Sequence, residues 1–250
     1  MFKLTALTGG FGLALAALLS SLVNSQAQLT FNFASTPGAT IQFNGTSSTF
    51  QFNNSATPLY VGTQWQIGSE NGGTGSAIGL FGVVNNSPFS YGPITTILLP
   101  GLDYEYANVT GPLGGLSIND GAGGFLTGNV DWIQVATYNY VGAINGQLTV
   151  NVTGLSYAGS NPDLLTLAAN APAAMSLSFQ FAPGQTLSSL SSGTGPYMTS
   201  FSGSLSVVPE PSALPMAMLG LVVCGLATVS RRHARKTAPV RQEITSHRRD

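Results

Sequence analysis

QLTVNV (147–152) and SLSFQF (176–181) are the stretches that decide the fold class. In the first, Leu148, Val150 and Val152 alternate with polar residues; in the second, Leu177, Phe179 and Phe181 do the same. A period of two is what a β-strand shows when one face is buried and the other is wetted. The pattern recurs in both directions along the chain, at LTFNF (29–33), IQF (41–43), TFQF (49–52), TQWQI (63–67) and SFSGSLSV (200–207). In the last two, Trp65 with Ile67 and Phe201 with Leu205 and Val207 each share a face. AIGLFGVV (77–84) and ITTILL (94–99) are more continuously apolar, which predicts central strands buried on both sides. Clusters such as NNSATP, ENGGTGS and NDGAGG separate the runs, with Gly or Asn for positive φ and Pro to fix φ. Many short strands at this spacing predict an all-β fold, a single β-sandwich or jelly-roll-like domain over residues 28–208. Its expected core holds Trp65, Phe81, Leu98, Val150, Phe179 and Phe201. One short helix is expected in NPDLLTLAAN (161–170), with Asn161 as N-cap, Pro162 opening the helix and Asp163 in its first turn.

Charge is distributed unevenly. Every Lys and Arg lies either at Lys3 or beyond Val229, both His are in the segment after Val229, and the one Cys is Cys224. The body between has only acids: Glu70, Asp103, Glu105, Asp120, Asp131 and Asp163. It therefore offers no Ser-His-Asp or Cys-His arrangement, no thiol nucleophile and no Lys for a Schiff base. It has no His/Cys zinc site and no disulfide. Without a basic patch to neutralise phosphates, nucleic acid is not an expected partner. No cofactor and no enzymatic activity are expected.

The two ends are of a different kind. Met1 to Ala27 reads as a secretory signal peptide: Lys3 supplies the positive start and Leu4 to Leu22 the apolar stretch. Ser25 and Ala27 are the small residues of a cleavage site that falls between Ala27 and Gln28. Export through the Sec translocon follows from that reading. At the other end, Ala213 to Val229 is free of charge and, as a helix, reaches roughly 25 Å. That is the short end of what crosses a hydrocarbon core about 30 Å thick, and flanking Arg side chains can snorkel to cover the difference. The basic cluster 231–236, with Arg231, Arg232, Arg235 and Lys236, marks the cytoplasmic side and leaves 237–250 as a polar cytoplasmic tail.

Pro209-Glu210-Pro211, the apolar span and the Arg-rich stop follow one another in order, and this segment (209–236) resembles the PEP-CTERM sorting signal of Gram-negative bacteria. The resemblance begins near Val207 and does not extend to the body. It implies processing at the Pro-Glu-Pro by exosortase, a membrane transpeptidase-like enzyme, after a transient stay in the inner membrane. It also implies a cell-surface or extracellular destination linked to exopolysaccharide or biofilm. The segment Thr237 to Asp250 departs from the usual pattern, which ends soon after the basic cluster. An ordinary, permanent stop-transfer anchor is the alternative.

Within the body three constellations are candidate sites. Asp103 and Glu105 fall on one face of a strand, about 7 Å apart at the backbone, a pairing that glycoside hydrolysis can use; an exposed strand face is the other reading. Asn119-Asp120-Gly121 is either part of a calcium site or a plain turn. Asp131-Trp132 with Tyr138 and Tyr140 is either a sugar-stacking face or sheet packing. Three function classes follow: a structural or interaction protein of the cell surface, a carbohydrate-binding module on the same export route, and a carboxylate-based hydrolase. Composition favours the first.

Overall fold

Phe31 and Phe33 point inward from the first strand while Thr30 and Asn32 point out. The same division runs through almost every strand of the computed structural model, which describes residues 28–208 apart from 86–87 and 141–142. The expected signal peptide, the 209–211 motif, the 213–229 span, the basic cluster and the tail lie outside the described residues. Among the described residues no helix is long and apolar enough to cross a membrane.

The strands in chain order are β1 (Thr30–Ser35), β2 (Thr40–Asn44), β3 (Thr49–Asn53), β4 (Trp65–Asn71), β5 (Phe81–Asn85), β6 (Phe89–Ser90) and β7 (Thr95–Leu99). They continue with β8 (Leu102–Asn108), β9 (Gly114–Asn119), β10 (Phe125–Tyr140), β11 (Ala143–Ser156), β12 (Ala173–Phe179), β13 (Tyr197–Thr199) and β14 (Phe201–Val207). Helix α1 (Pro162–Ala169) joins β11 to β12, and α2 (Leu187–Ser192) lies between β12 and β13. The all-β expectation holds. Two sheets are present, but the larger closes on itself: β11, β12, β14, β1, β4, β5, β9 and β10 form an antiparallel ring, because β10 pairs with both β9 and β11. Closure removes the free edges that an open sheet would present. A hairpin of β7 and β8 extends from the second half of β10 as a wing.

The ring is filled rather than hollow. The smaller sheet, in the order β13-β2-β3-β6, turns Ile41, Phe43, Phe50, Phe52 and Phe89 toward the ring's interior. Trp132 of β10 is the meeting point, stacked on Phe52 with centroids 5.4 Å apart and met edge-on by Phe50 at 5.5 Å. Phe43 packs on Phe179 of β12 at 5.0 Å, and Phe52 on Phe201 of β14 at 5.2 Å. Each such pair adds about 0.5–1.5 kcal/mol beyond the area it buries.

Of the six expected core residues, Trp65, Val150, Phe179 and Phe201 are buried. Leu98 is not: it is 75% exposed, and all of β7 is exposed. The apolar run 94–99 is an edge strand paired only with β8, not a central one, because the wing projects past the ring. Phe81 is half-buried on the outer face, its ring against Tyr60 at 6.0 Å, while its neighbours Gly82 and Val84 face inward. The run 77–84 is a strand only from Phe81, since Ala77 to Leu80 form a turn through Gly79 at φ +89°.

Helix α1 forms as expected. The Asn161 side chain accepts from the N–H groups of Asp163 and Leu164, Pro162 opens the helix, and Leu164 and Leu167 are buried beneath it. Helix α2 was not expected, because its sequence LSSLSS is half serine or more and serine favours turns over helix interiors. Leu187 and Leu190, three apart and both buried, hold it in place, and Thr186 caps it by accepting from Ser189 N–H.

Candidate functional site

The acids of the body have no cation to pair with, so their partners are decisive. Glu105 does not stand free beside Asp103: its Oε2 accepts from Ser188 N–H at 2.7 Å, and Thr137 Oγ1 accepts from Leu187 N–H at 2.9 Å. Together they hold the first turn of α2 against the wing. Asp103 is exposed on β8. The strand therefore places both carboxylates on one face, as expected, but one of them is engaged in structure.

Asp120 closes the β9–β10 turn. Its Oδ1 accepts from Ala122 and Gly124 N–H, each at 2.8 Å, and its Oδ2 from the Tyr157 hydroxyl at 2.8 Å. Tyr157 in turn accepts from Asn161 N–H at 2.9 Å, so the turn is tied to the start of α1. These donors hold the Asp120 carboxyl below its ordinary range, Ala122 N–H first and the Tyr157 hydroxyl second. Among the described residues no group of three or more His, Cys, Asp or Glu is placed to hold a metal ion.

Asp163 and Glu70 form a latch that the sequence did not disclose. Asp163 is buried and lies at the start of α1, 89 positions beyond the glycine-rich loop it grips. Its Oδ1 accepts from Thr74 N–H at 2.9 Å; its Oδ2 accepts from Ser76 N–H and Thr74 Oγ1, both at 2.7 Å, and from Ser76 Oγ. Glu70 accepts from Gly75 and Ala77 N–H on the same loop. Gly73 leaves room for this arrangement, since a Cβ there would fall 1.6 Å from Glu70 Oε1 and 2.8 Å from Asp163 Oδ1 and would push the Glu70 carboxylate aside. Burial opposes ionisation of Asp163, yet the Ser76 and Thr74 donors outweigh it and hold the carboxyl well below the usual range. Glu70 goes the other way: burial raises it, and the neighbouring Asp163 raises it further.

The aromatic constellation is split. Trp132 is buried in the core, whereas Tyr138 lies on the outer face of the same strand. Strict alternation would place both on one face. An extra residue at Ile133 shifts the β10–β11 register between Trp132 and Gln134, so the strand changes parity at that bulge. Asp131 is exposed, and the side chain of Tyr140 lies outside the described residues. Tyr138 stacks instead on Tyr104 of β8, centroids 4.8 Å apart, and Tyr104 on Tyr106 at 5.3 Å. Tyr104 donates to Gln134 Oε1 at 2.8 Å and Tyr138 to Gln147 Oε1 at 3.2 Å. Burial between its neighbours, with Tyr138 next in weight, pushes Tyr104 up to about 12.

Next to this stack the outer face of the ring is paved with small uncharged side chains. In register across β11, β12, β14 and β1 run Gln147, Ser178, Ser202 and Ala34, then Thr149, Ser176, Ser204 and Asn32. Ser176 and Ser204 share a hydrogen bond at 3.1 Å, and Asn32 donates to Ser69 at 3.1 Å. The first row lies in an open groove of about 830 Å³ that Tyr138 also lines. Sequence reading missed this face although its signal was present, as the polar half of the same alternation that located the core. No protein-family model matches the chain, and neither does any curated protein or solved structure.

Proposed function

We propose that this chain is an exported, non-enzymatic structural or interaction protein of the cell surface or extracellular matrix. Its Pro209-Glu210-Pro211 segment is a sorting signal that an exosortase-type membrane enzyme cuts, and its surroundings are rich in exopolysaccharide. The observation that carries this reading is the order of the Pro-Glu-Pro, the uncharged span 213–229 and the basic cluster at Arg231, Arg232, Arg235 and Lys236, following a body without a single Lys, Arg or His. Two prolines keep the motif extended and deny it helix or ladder hydrogen bonds, which suits a protease cleft. Glu210 is the one charge between them.

The fold supports a non-catalytic body. Glu105 and Asp120 accept backbone N–H groups, and so do Glu70 and Asp163, which gives four of the body's six acids a structural role. The test is a fractionation blot of wild type and Glu210→Ala in a host that carries exosortase. Wild type should be found at the surface in a form shortened near Pro209, and the variant should accumulate at full length in the inner membrane. If both remain full-length and membrane-bound, a permanent stop-transfer anchor takes the place of the sorting signal.

A further inference from the structure

We propose that the groove across β11, β12, β14 and β1 binds an uncharged polysaccharide, with Tyr138 as its stacking platform. This rests on the reading of the body as a surface interaction domain and names the class of ligand that domain takes.

The groove's shape comes first. It is long and open rather than enclosed, about 830 Å³ in volume, and it lies on the outer side of the strands. From β10 to β1 it crosses four strand spacings, roughly 19 Å, the reach of an oligosaccharide rather than of a single sugar. A small apolar ligand would need a deeper and drier pocket.

Its chemistry is the second constraint. Asn145, Gln147, Ser178, Gln180 and Ser202 line it with amides and hydroxyls, and no lining residue carries a charge. Among the described residues Asn145, Gln180, Ser178 and Ser202 make no side-chain hydrogen bond, and Gln147 uses only its Oε1. Such groups both donate and accept, which matches the hydroxyls of a sugar. Tyr138 adds an apolar ring with a polar rim, and among the described residues its one aromatic neighbour is Tyr104. A pyranose presents a C–H face to such a ring and its hydroxyls to the floor beside it.

The competing classes fail on the same observations. An anionic polymer or nucleic acid would find no Lys, Arg or His anywhere in the body. An extended peptide adds to a sheet through an unpaired edge, yet every strand beneath this groove is paired on both sides. The strands with an unpaired edge, β7 on the wing and β13 and β6 in the smaller sheet, do not line the groove.

The test uses the full chain, purified in a zwitterionic detergent so that no glycoside headgroup competes. It is applied to an array of neutral oligosaccharides of glucose, galactose, mannose and N-acetylglucosamine, with alginate oligomers as the anionic control. At least one neutral oligosaccharide should bind, and the alginate should not. Affinity should fall by about tenfold in Tyr138→Ala, the loss expected for an aromatic anchor. Ser202→Gln, which fills the floor from a solvent-exposed position, should likewise weaken binding by about tenfold or more while the far-UV circular dichroism stays unchanged. Binding to none of the neutral sugars overturns the proposal, as does binding that both variants retain. Cleavage at Pro209 is read separately by the fractionation blot, so failure of the groove leaves the sorting reading standing, and the reverse.

Discussion

Replacing Asp163 with Asn tests the latch most directly, because the two side chains have the same shape. Each carboxylate oxygen of Asp163 accepts from a backbone N–H, Oδ1 from Thr74 and Oδ2 from Ser76. Whichever way the new amide turns, its NH2 faces one of those N–H groups and leaves it without an acceptor. The hydroxyls of Thr74 and Ser76 can rotate; the backbone cannot. An orphaned buried donor costs about 1–3 kcal/mol, and the remaining bonds lose their charge assistance, so the total is about 2–4 kcal/mol at pH 7. For a domain of this size that lowers Tm by about 5–15 °C. The pH dependence has a definite sign. Asp163 is held below its unfolded value, so its contribution is complete above the ordinary carboxylate range near pH 4 and is lost as pH falls through the folded value. The gap between wild type and Asp163→Asn should therefore narrow as pH is lowered below about 4. Glu70 is raised, so its ionised form weakens the fold at neutral pH and protonation relieves this as pH falls. Glu70→Gln should for that reason cost less at pH 7 than Asp163→Asn. Urea titrations of residues 28–208 at pH 7 and pH 3.5 measure both. A variant within about 0.5 kcal/mol of wild type at pH 7, or a gap that does not change with pH, would refute the latch.

Two further outcomes can be measured on the same domain. Leu98→Ser should leave stability within about 0.5 kcal/mol, since the side chain is 75% exposed on an edge strand; light scattering should show less self-association, because an apolar free edge is a template for pairing. With no cation in the body and four of its six carboxylates bound to N–H groups, moving from low to high sodium chloride should change the urea midpoint little; a large loss of stability with added salt would mean that attractive ion pairs hold the fold.

Much of the core was legible because alternation reports burial directly. Phe31 and Phe33, Ile41 and Phe43, Phe50 and Phe52 all face inward as their spacing implies. Leu98 misled because an apolar run looks the same whether two layers cover it or none, and only the topology shows that β7 lies beyond the ring. Ring closure was not legible either, since it depends on β10 pairing with β9 along one edge and with β11 along the other. Periodicity is silent on pairing. Trp132 and Tyr138, six apart, would share a face on an unbroken strand, and one bulged residue at Ile133 is enough to send them to opposite faces. That is a local event with no composition signal. The Asp163 latch was hidden for a different reason: its partners lie in a loop that reads only as a turn.

The missing cations and the backbone-bound acids are two sides of one design. A carboxylate inside a protein needs a compensating donor, and Lys or Arg is the usual one. This body has neither, so the donors are backbone N–H groups at turns and helix starts, where the chain leaves them unpaired. Glu105 and Asp163 meet the first turn of a helix or the loop beside it, and Asp120 meets its own turn. Asp103 and Asp131 stay exposed on β8 and β10, while the outer face of β11, β12, β14 and β1 carries no acid. That face is left to Ser, Thr, Asn and Gln, which keep the sheet wetted without a field of either sign. With acids and no cation, the domain repels an anionic partner and has no positive patch with which to attract one. Contact recognition by shape, stacking and neutral hydrogen bonds is what remains to it, and the groove beside Tyr138 is where those three occur together.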